Sequence, residues 1–144
     1  MQRHRLSFIL VIGLVTGGLL TACGLFGEDP PRIEGVHEAE VQAGGRLHVF
    51  TVSISESDGR LSGIGDVQVR DSSEFEVLLT LSGRHEHPSV HLQLNAEASD
   101  STFRLSGTAS DDGDRIEGTL RFPEGRERSV VMRQLEGYEP PTIY

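Results

Sequence analysis

The chain has 144 residues, a formal net charge of −9, one cysteine and no tryptophan. This length suffices for a single domain with its own hydrophobic core, and one cysteine cannot form a disulfide within the chain. The excess of acidic groups argues against nucleic acid or anionic lipid headgroups as partners, and the low aromatic content argues against a carbohydrate-stacking surface.

Residues 1–22 have the organisation of an export signal. Arg3 and Arg5 supply positive charge, and an uncharged apolar stretch follows from Leu6 to about Leu20. As a helix this stretch would be roughly 22 Å long, which is short of the ~30 Å hydrocarbon core of a bilayer. The pattern therefore predicts a cleaved signal peptide. Cleavage would leave 11 arginines against 22 acidic residues, a formal charge of −11.

The signal segment leads into Leu20-Thr21-Ala22-Cys23. These four residues resemble the lipobox of bacterial lipoproteins, in which leucine, a small residue and alanine or glycine precede an invariant cysteine. The resemblance implies diacylglyceryl transfer to the Cys23 thiol, cleavage before Cys23 and acylation of the new amino group. It covers only the first two dozen residues, and an ordinary secretory signal followed by an incidental cysteine is the alternative.

The resemblance also implies a cellular location. Three acyl chains exceed the two signals needed for stable attachment, so Cys23 would anchor the protein to a membrane of the cell envelope. Gly24 stands where an aspartate would be the usual inner-membrane retention signal, which implies the outer membrane if the organism has one. Residues 23–31 are then the lipidated cysteine and a short tether, stiffened by Pro30 and Pro31.

Beyond the tether, turn signals recur about every 13 to 14 residues. Between them apolar and polar residues alternate with period two, which is typical of antiparallel strands with one buried face. The predicted strands are 32–41, 46–55, 60–70, 74–82, 88–96, 101–109, 115–122 and 126–135. The first is the weakest, because Val36 and Val41 do not share a parity. The tail 136–144 is predicted to be loose because it contains two prolines.

A four-residue motif of the form Arg, Leu or Ile, Ser or Glu, Gly occurs four times. Its copies begin at Arg32, Arg60, Arg104 and Arg115. On a strand the aliphatic residue and the glycine would face inward, and inward glycines let a sheet coil sharply at the corners of a closed barrel. Coincidence in a chain rich in glycine and arginine is the alternative.

Long strands of similar length joined by short hairpins predict an all-β fold. We expect a single antiparallel up-and-down meander of about eight strands over residues 32–135, closed into a small β-barrel. Its architecture, and only that, would be similar to lipocalins and avidins. Closure removes exposed edges and leaves an interior that is either filled by side chains or holds one small ligand. An open coiled sheet or a β-sandwich is the alternative.

His85, His87 and His91 form the one cluster that suggests a metal site. On an unbroken strand all three would share a face, with about 7 Å between His85 and His87 and about 13 Å from His87 to His91. One ion cannot bridge those distances, so we expect solvated turn histidines and no metal. The chain is expected to need no cofactor.

Asp111, Asp112 and Asp114 surround Gly113 and resemble part of a calcium loop. They lack the downstream glutamate of an EF-hand, so a charged hairpin tip is the expected explanation.

No catalytic motif is present. The chain has no Gly-x-Ser-x-Gly, no His-Glu-x-x-His and no phosphate-binding glycine loop, so we expect no enzyme and no catalytic residue. Three functions stay open. The first is a non-catalytic binding module for a small apolar ligand or a protein partner. The second is a structural or assembly lipoprotein with a packed interior. The third is an integral outer-membrane barrel, which short hairpins and the lack of aromatic girdles disfavour.

Overall fold

Eight antiparallel strands close into one barrel. The computed structural model describes residues 27–70 and 76–138, and the strands follow one another around the barrel in chain order. They are β1 (Gly35–Ala43), β2 (Arg46–Ser57), β3 (Arg60–Val69), β4 (Glu76–Glu86), β5 (Ser89–Ala96), β6 (Thr102–Ala109), β7 (Arg115–Arg121) and β8 (Glu127–Gln134). The predicted all-β meander and its closure into a small barrel are confirmed.

Several predictions concern residues outside the described ranges. These are the signal peptide, the lipobox with Cys23, the beginning of the tether, the start of the fourth predicted strand and the tail from residue 139 onward. Within the described part of the chain, no helix is long and apolar enough to cross a membrane.

Alternation places the apolar residues inside the barrel. On β5, Val90, Leu92 and Leu94 are buried, whereas His91 and Gln93 are exposed. The apolar side chains with less than 2 % exposure, which include Phe50, Leu79, Leu105, Ile116 and Met132, come from six strands and the segment before β1 and pack into one core. The middle of the barrel is therefore filled by apolar side chains.

Three of the four motif glycines lie on inward positions of their strands, as expected. They are Gly63, Gly107 and Gly118. Gly107 and Gly118 face each other across β6 and β7, and a Cβ added to Gly118 would lie 2.6 Å from the Gly107 Cα. Neighbouring backbones approach here more closely than any side chain permits, which lets the sheet coil into a small barrel.

The largest differences from the predicted strand bounds are at the end of β4 and the start of β1. β4 continues to Glu86, so Gly83, predicted to lie in a turn, faces the interior against the backbone of His91. The hairpin is thereby shortened to His87 and Pro88. β1 begins at Gly35 instead of residue 32, and its inward residues are odd-numbered. Val36 therefore lies on the outer side, where its carbonyl accepts a hydrogen bond from the Leu135 amide.

β1 and β8 meet in a short ladder, which we call the seam. They pair only through His37 with Gln134 and Glu38 with Arg133, whereas every other neighbouring pair of strands runs over six to ten residue pairs. Beyond the ladder, the Arg128 side chain donates a hydrogen bond from Nε to the Gln42 carbonyl at 3.3 Å. A side chain thus replaces backbone pairing along part of the seam.

Candidate functional site

The two ends of the barrel differ. One end carries the β2–β3, β4–β5 and β6–β7 hairpins and is crossed by the segment before β1. We call it the plugged end. At the opposite end lie the β1–β2, β5–β6 and β7–β8 hairpins, which surround a concave cup of about 600 Å³. This volume falls within the range of small-molecule sites.

Aromatic rings form the floor of the cup. Phe122 lies edge-on to Phe103 with ring centroids 5.6 Å apart, and Phe103 packs in the same way on the buried Phe50 at 5.2 Å. The His48 ring lies edge-on to Phe122 at 5.4 Å. Edge-to-face packing of this kind holds the rings in defined positions and presents an apolar surface to the mouth.

The wall of the cup is apolar below and polar at its rim. Its remaining lining residues are Ala43, Gly44, Arg46, Val67, Val77, Ala96, Ser99, Ser101, Pro123, Glu124 and Arg126. Together with the floor, the lining residues come from the six strands β1 to β6 and from three hairpins, so barrel closure is what assembles the cup.

Charged groups on the rim include two arginines and one glutamate. Arg126 lies 3.9 Å from the Glu124 carboxylate through Nε, and its guanidinium extends over the backbone of Gly44 on the neighbouring hairpin. Arg46 forms no ion pair with any residue that the structure describes. Below them, His48 Nδ1 is buried without a hydrogen-bond partner among the described residues.

The plugged end contains a buried hydrogen-bonded pair. Glu56 on β2 and His85 on β4 point into the barrel, and their side chains are 9 % and 2 % exposed. His85 Nδ1 lies 3.0 and 3.1 Å from the two carboxylate oxygens of Glu56. The Ile33 amide donates to the same carboxylate at 2.7 Å. Glu56 therefore ties the segment before β1 across this end of the barrel.

A second buried histidine lies near the plugged end. His37 on β1 is fully buried, and its Nδ1 lies 3.3 Å from the Gly35 carbonyl. Burial lowers the pKa of His37, while the backbones of Gly35 and Gly113 and the Asp114 charge oppose that shift. The neutral imidazole is thus favoured, which suits a residue inside an apolar core.

The structure separates the three histidines considered as metal ligands. His85 lies inside the barrel, so the prediction of a solvated turn residue is wrong for it. His87 lies in the hairpin, with its ring 5.6 Å from that of His85 and its Nε2 3.6 Å from Asp111. His91 lies on the outer face of β5, next to the Ser106 hydroxyl. The hairpin reverses the parity between β4 and β5, which equal spacing in sequence does not reveal.

Within residues 27–70 and 76–138, no group of three or more histidine, cysteine, aspartate or glutamate side chains is arranged to hold a metal ion.

The aspartates around Gly113 lie at the tip of the β6–β7 hairpin, as predicted. The Ser110 hydroxyl lies 2.6 Å from Asp112 and 3.0 Å from Asp114, and it accepts a hydrogen bond from the Arg115 amide. The Ser110 hydroxyl and then Asp114 lower the pKa of Asp112 to about 2. These groups hydrogen-bond within their own hairpin and shape the turn.

Glu56, His48 and His37 were not among the candidate residues predicted from the sequence. A signal for the first two was available, because Phe50, Val52 and Ile54 make the even positions of β2 the buried ones. Both polar residues are even-numbered and had to point inward. His37 was not predicted to face inward, because Val36 and Val41 do not share a parity and the buried face of the first strand could not be assigned.

Removing the Glu56 carboxylate should destabilise the plugged end. Glu56→Ala leaves the Ile33 amide and His85 Nδ1 without their acceptor, and each unsatisfied buried donor costs about 1–3 kcal/mol. We expect the free energy of unfolding to fall by about 3 kcal/mol in urea denaturation. Glu56→Gln, which retains an acceptor oxygen, should restore part of that loss.

Glu117→Ala is the matched control. Glu117 pairs with Arg115 at 2.9 Å, but both side chains are about half exposed, and such surface pairs contribute ~0–1 kcal/mol. Equal losses for Glu56→Ala and Glu117→Ala would contradict a structural role for the buried pair.

Comparisons with protein-family models, with curated proteins and with solved structures found no match to this chain. The described residues define a small, closed antiparallel β-barrel with one end plugged by its own chain and an apolar cup at the other.

Proposed function

We propose that this protein is a lipid-anchored lipoprotein of the bacterial cell envelope that acts as a non-catalytic binding module. Its anchor is Cys23, in the outer membrane if the organism has one, and its binding site is the cup. The anchor is supported by the lipobox resemblance of Leu20-Thr21-Ala22-Cys23. The ligand is a small molecule with a largely apolar body.

The cup is the observation that carries the binding proposal. Its floor of phenylalanines is held rigid by edge-to-face packing, and its mouth is ringed by hydroxyl, histidine and charged groups. A preformed apolar concavity with a few convergent polar groups is the usual form of a small-molecule site. Since the middle of the barrel is filled, the ligand would sit in the mouth and not along the axis.

The anchor and the cup would lie on opposite sides of the barrel. Ile33 is bound to Glu56 at the plugged end, so the described segment before β1, residues 27–33, meets the barrel at that end. Ten extended residues, the number from Cys23 to Arg32, reach at most about 35 Å. A protein anchored at Cys23 would hold its plugged end toward the membrane and its cup toward the aqueous compartment.

Two other candidate functions rest on specific observations. The well-packed middle of the barrel favours a structural or assembly lipoprotein, which would need no cavity. A protein partner on the rim is favoured by its arginines. An integral outer-membrane barrel is disfavoured, because Arg84, Arg104 and Glu117 are exposed on outer faces where such a barrel presents apolar side chains to lipid.

Native mass spectrometry tests the binding proposal. Residues 24–144, purified from the envelope compartment without detergent, retain every described residue of the barrel. We expect a discrete co-purifying mass that is lost on unfolding. Ser101→Trp, which fills the cup, should abolish it, whereas Ser55→Trp on the outer face of β2 should not. A folded protein that has no bound mass and no affinity for added apolar compounds would refute the binding role.

A further inference from the structure

We infer that the cup selects amphiphiles with an acidic head, such as an alkyl or aryl carboxylate, over neutral molecules of the same apolar body. This inference deepens the proposed function and rests on it. Its basis is that Arg46 and Arg126 lie at the rim of the cup above its apolar floor.

The positive groups at the mouth are unusual for this protein. The whole chain has 13 basic against 22 acidic residues, yet the described rim carries two arginines and a single glutamate. Glu124 is 3.9 Å from Arg126, too far for a close ion pair, so it neutralises that guanidinium only in part. An anionic head at this position would meet two guanidinium groups.

The apolar and cationic parts of the cup are ordered in depth. Phe122 and Phe103 lie at the floor, His48 stands against Phe122 with a buried, unpartnered Nδ1, and the arginines lie at the rim. A ligand that buries its apolar body on the rings therefore brings its head to the level of the arginines. A carboxylate there gains charge-assisted hydrogen bonds, whereas an alcohol gains only neutral ones.

Position also constrains Arg126. Its Nη1 lies beside Gly44, 3.2 Å from where a Cβ of that residue would be, so the side chain reaches across the mouth end of the seam from one hairpin to the next. A side chain supported in this way loses less conformational entropy when it binds a ligand than a free surface arginine does.

A matched pair of ligands tests the inference. Decanoate and 1-decanol share the same alkyl body, and their affinities for residues 24–144 can be measured by displacement of the neutral dye Nile red at pH 7.5. We expect decanoate to bind about tenfold more tightly than decanol, as one or two charge-assisted hydrogen bonds would give. That preference should shrink as salt is raised, because the rim is exposed.

Substitutions of the two rim arginines test whether they cause the preference for decanoate. Arg46→Gln combined with Arg126→Gln should weaken decanoate binding and bring the two affinities within about twofold. Arg84→Gln, on the outer face of β4, is the control and should retain the tenfold ratio. Denaturation midpoints check that each variant is folded.

The outcomes separate the inference from the proposed function. Equal binding of decanoate and decanol to the unmodified protein would overturn the acidic-head inference while supporting an apolar cup. A carboxylate preference that survives the double substitution would overturn its assignment to Arg46 and Arg126. If neither compound nor the dye binds, the binding role of the cup itself is refuted.

Discussion

Replacing Cys23 with alanine is expected to abolish incorporation of labelled fatty acid into the protein and to leave the unprocessed precursor in the membrane. The proposed anchor attaches diacylglycerol through a thioether, and alanine offers no nucleophile for that bond. Cys23 is the only cysteine of the chain, so no other thiol can substitute. Metabolic labelling with palmitate, followed by immunoprecipitation, measures the effect directly.

Ala22→Gly is the matched control for this experiment. The lipobox accepts alanine or glycine before the cysteine, so this variant should be labelled and processed like the unmodified chain. Labelling of Cys23→Ala at its N-terminus would refute the anchor. Loss of labelling in both variants would show a general export defect and would equally fail to support a lipobox.

Adding a methyl group at Gly118 is expected to destabilise the barrel by about 3 kcal/mol. The Cβ of Gly118→Ala would lie 2.6 Å from the Gly107 Cα and closer still to the Ser106 carbonyl. These are backbone atoms paired in the β6–β7 ladder, so relief requires the two strands to separate. Overpacking of this kind typically costs 1–3 kcal/mol, and a backbone obstacle lies at the upper end of that range. Urea denaturation measures the change.

Gly27→Ala provides the control, since a Cβ at Gly27 has nothing within 4 Å. Its free energy of unfolding should change by less than about 0.5 kcal/mol. Gly107→Ala should resemble Gly118→Ala, and the double variant should cost less than the sum, because both methyl groups push the same two strands apart. A fully tolerated Gly118→Ala would show that close backbone approach is not needed for closure.

The strands of this barrel could be predicted from alternation alone. Val90, Leu92 and Leu94 share one face of β5, and Leu78, placed outward by parity despite its apolar side chain, is 56 % exposed. The repeated motif predicted inward glycines that let the sheet coil and close. Two of them, Gly107 and Gly118, do lie opposite each other on β6 and β7. Local periodicity sufficed because each strand has one buried and one exposed face.

The polar contents of the barrel were harder to predict. His85 was expected in solvent because the segment from Gly83 to Pro88 was predicted to be a turn. β4 instead continues to Glu86 and places His85 inside the barrel. Its partner Glu56 is 29 residues away, and that pairing depends on the register between strands. The cup likewise requires closure to bring Arg46 and Arg126 to the same rim, which no local pattern encodes.

The short seam also bears on the order in which the barrel assembles. Seven of its eight strand pairings join neighbours in the chain, and only β1 with β8 closes a long loop. Hairpins form within microseconds, whereas a contact between distant segments must first overcome the entropy of closing the loop between them. We therefore expect ring closure to be the last step of folding. In native-state hydrogen exchange, the amides of Glu38 and Arg133, which face each other across the seam, should then be the first of the strand amides to lose protection.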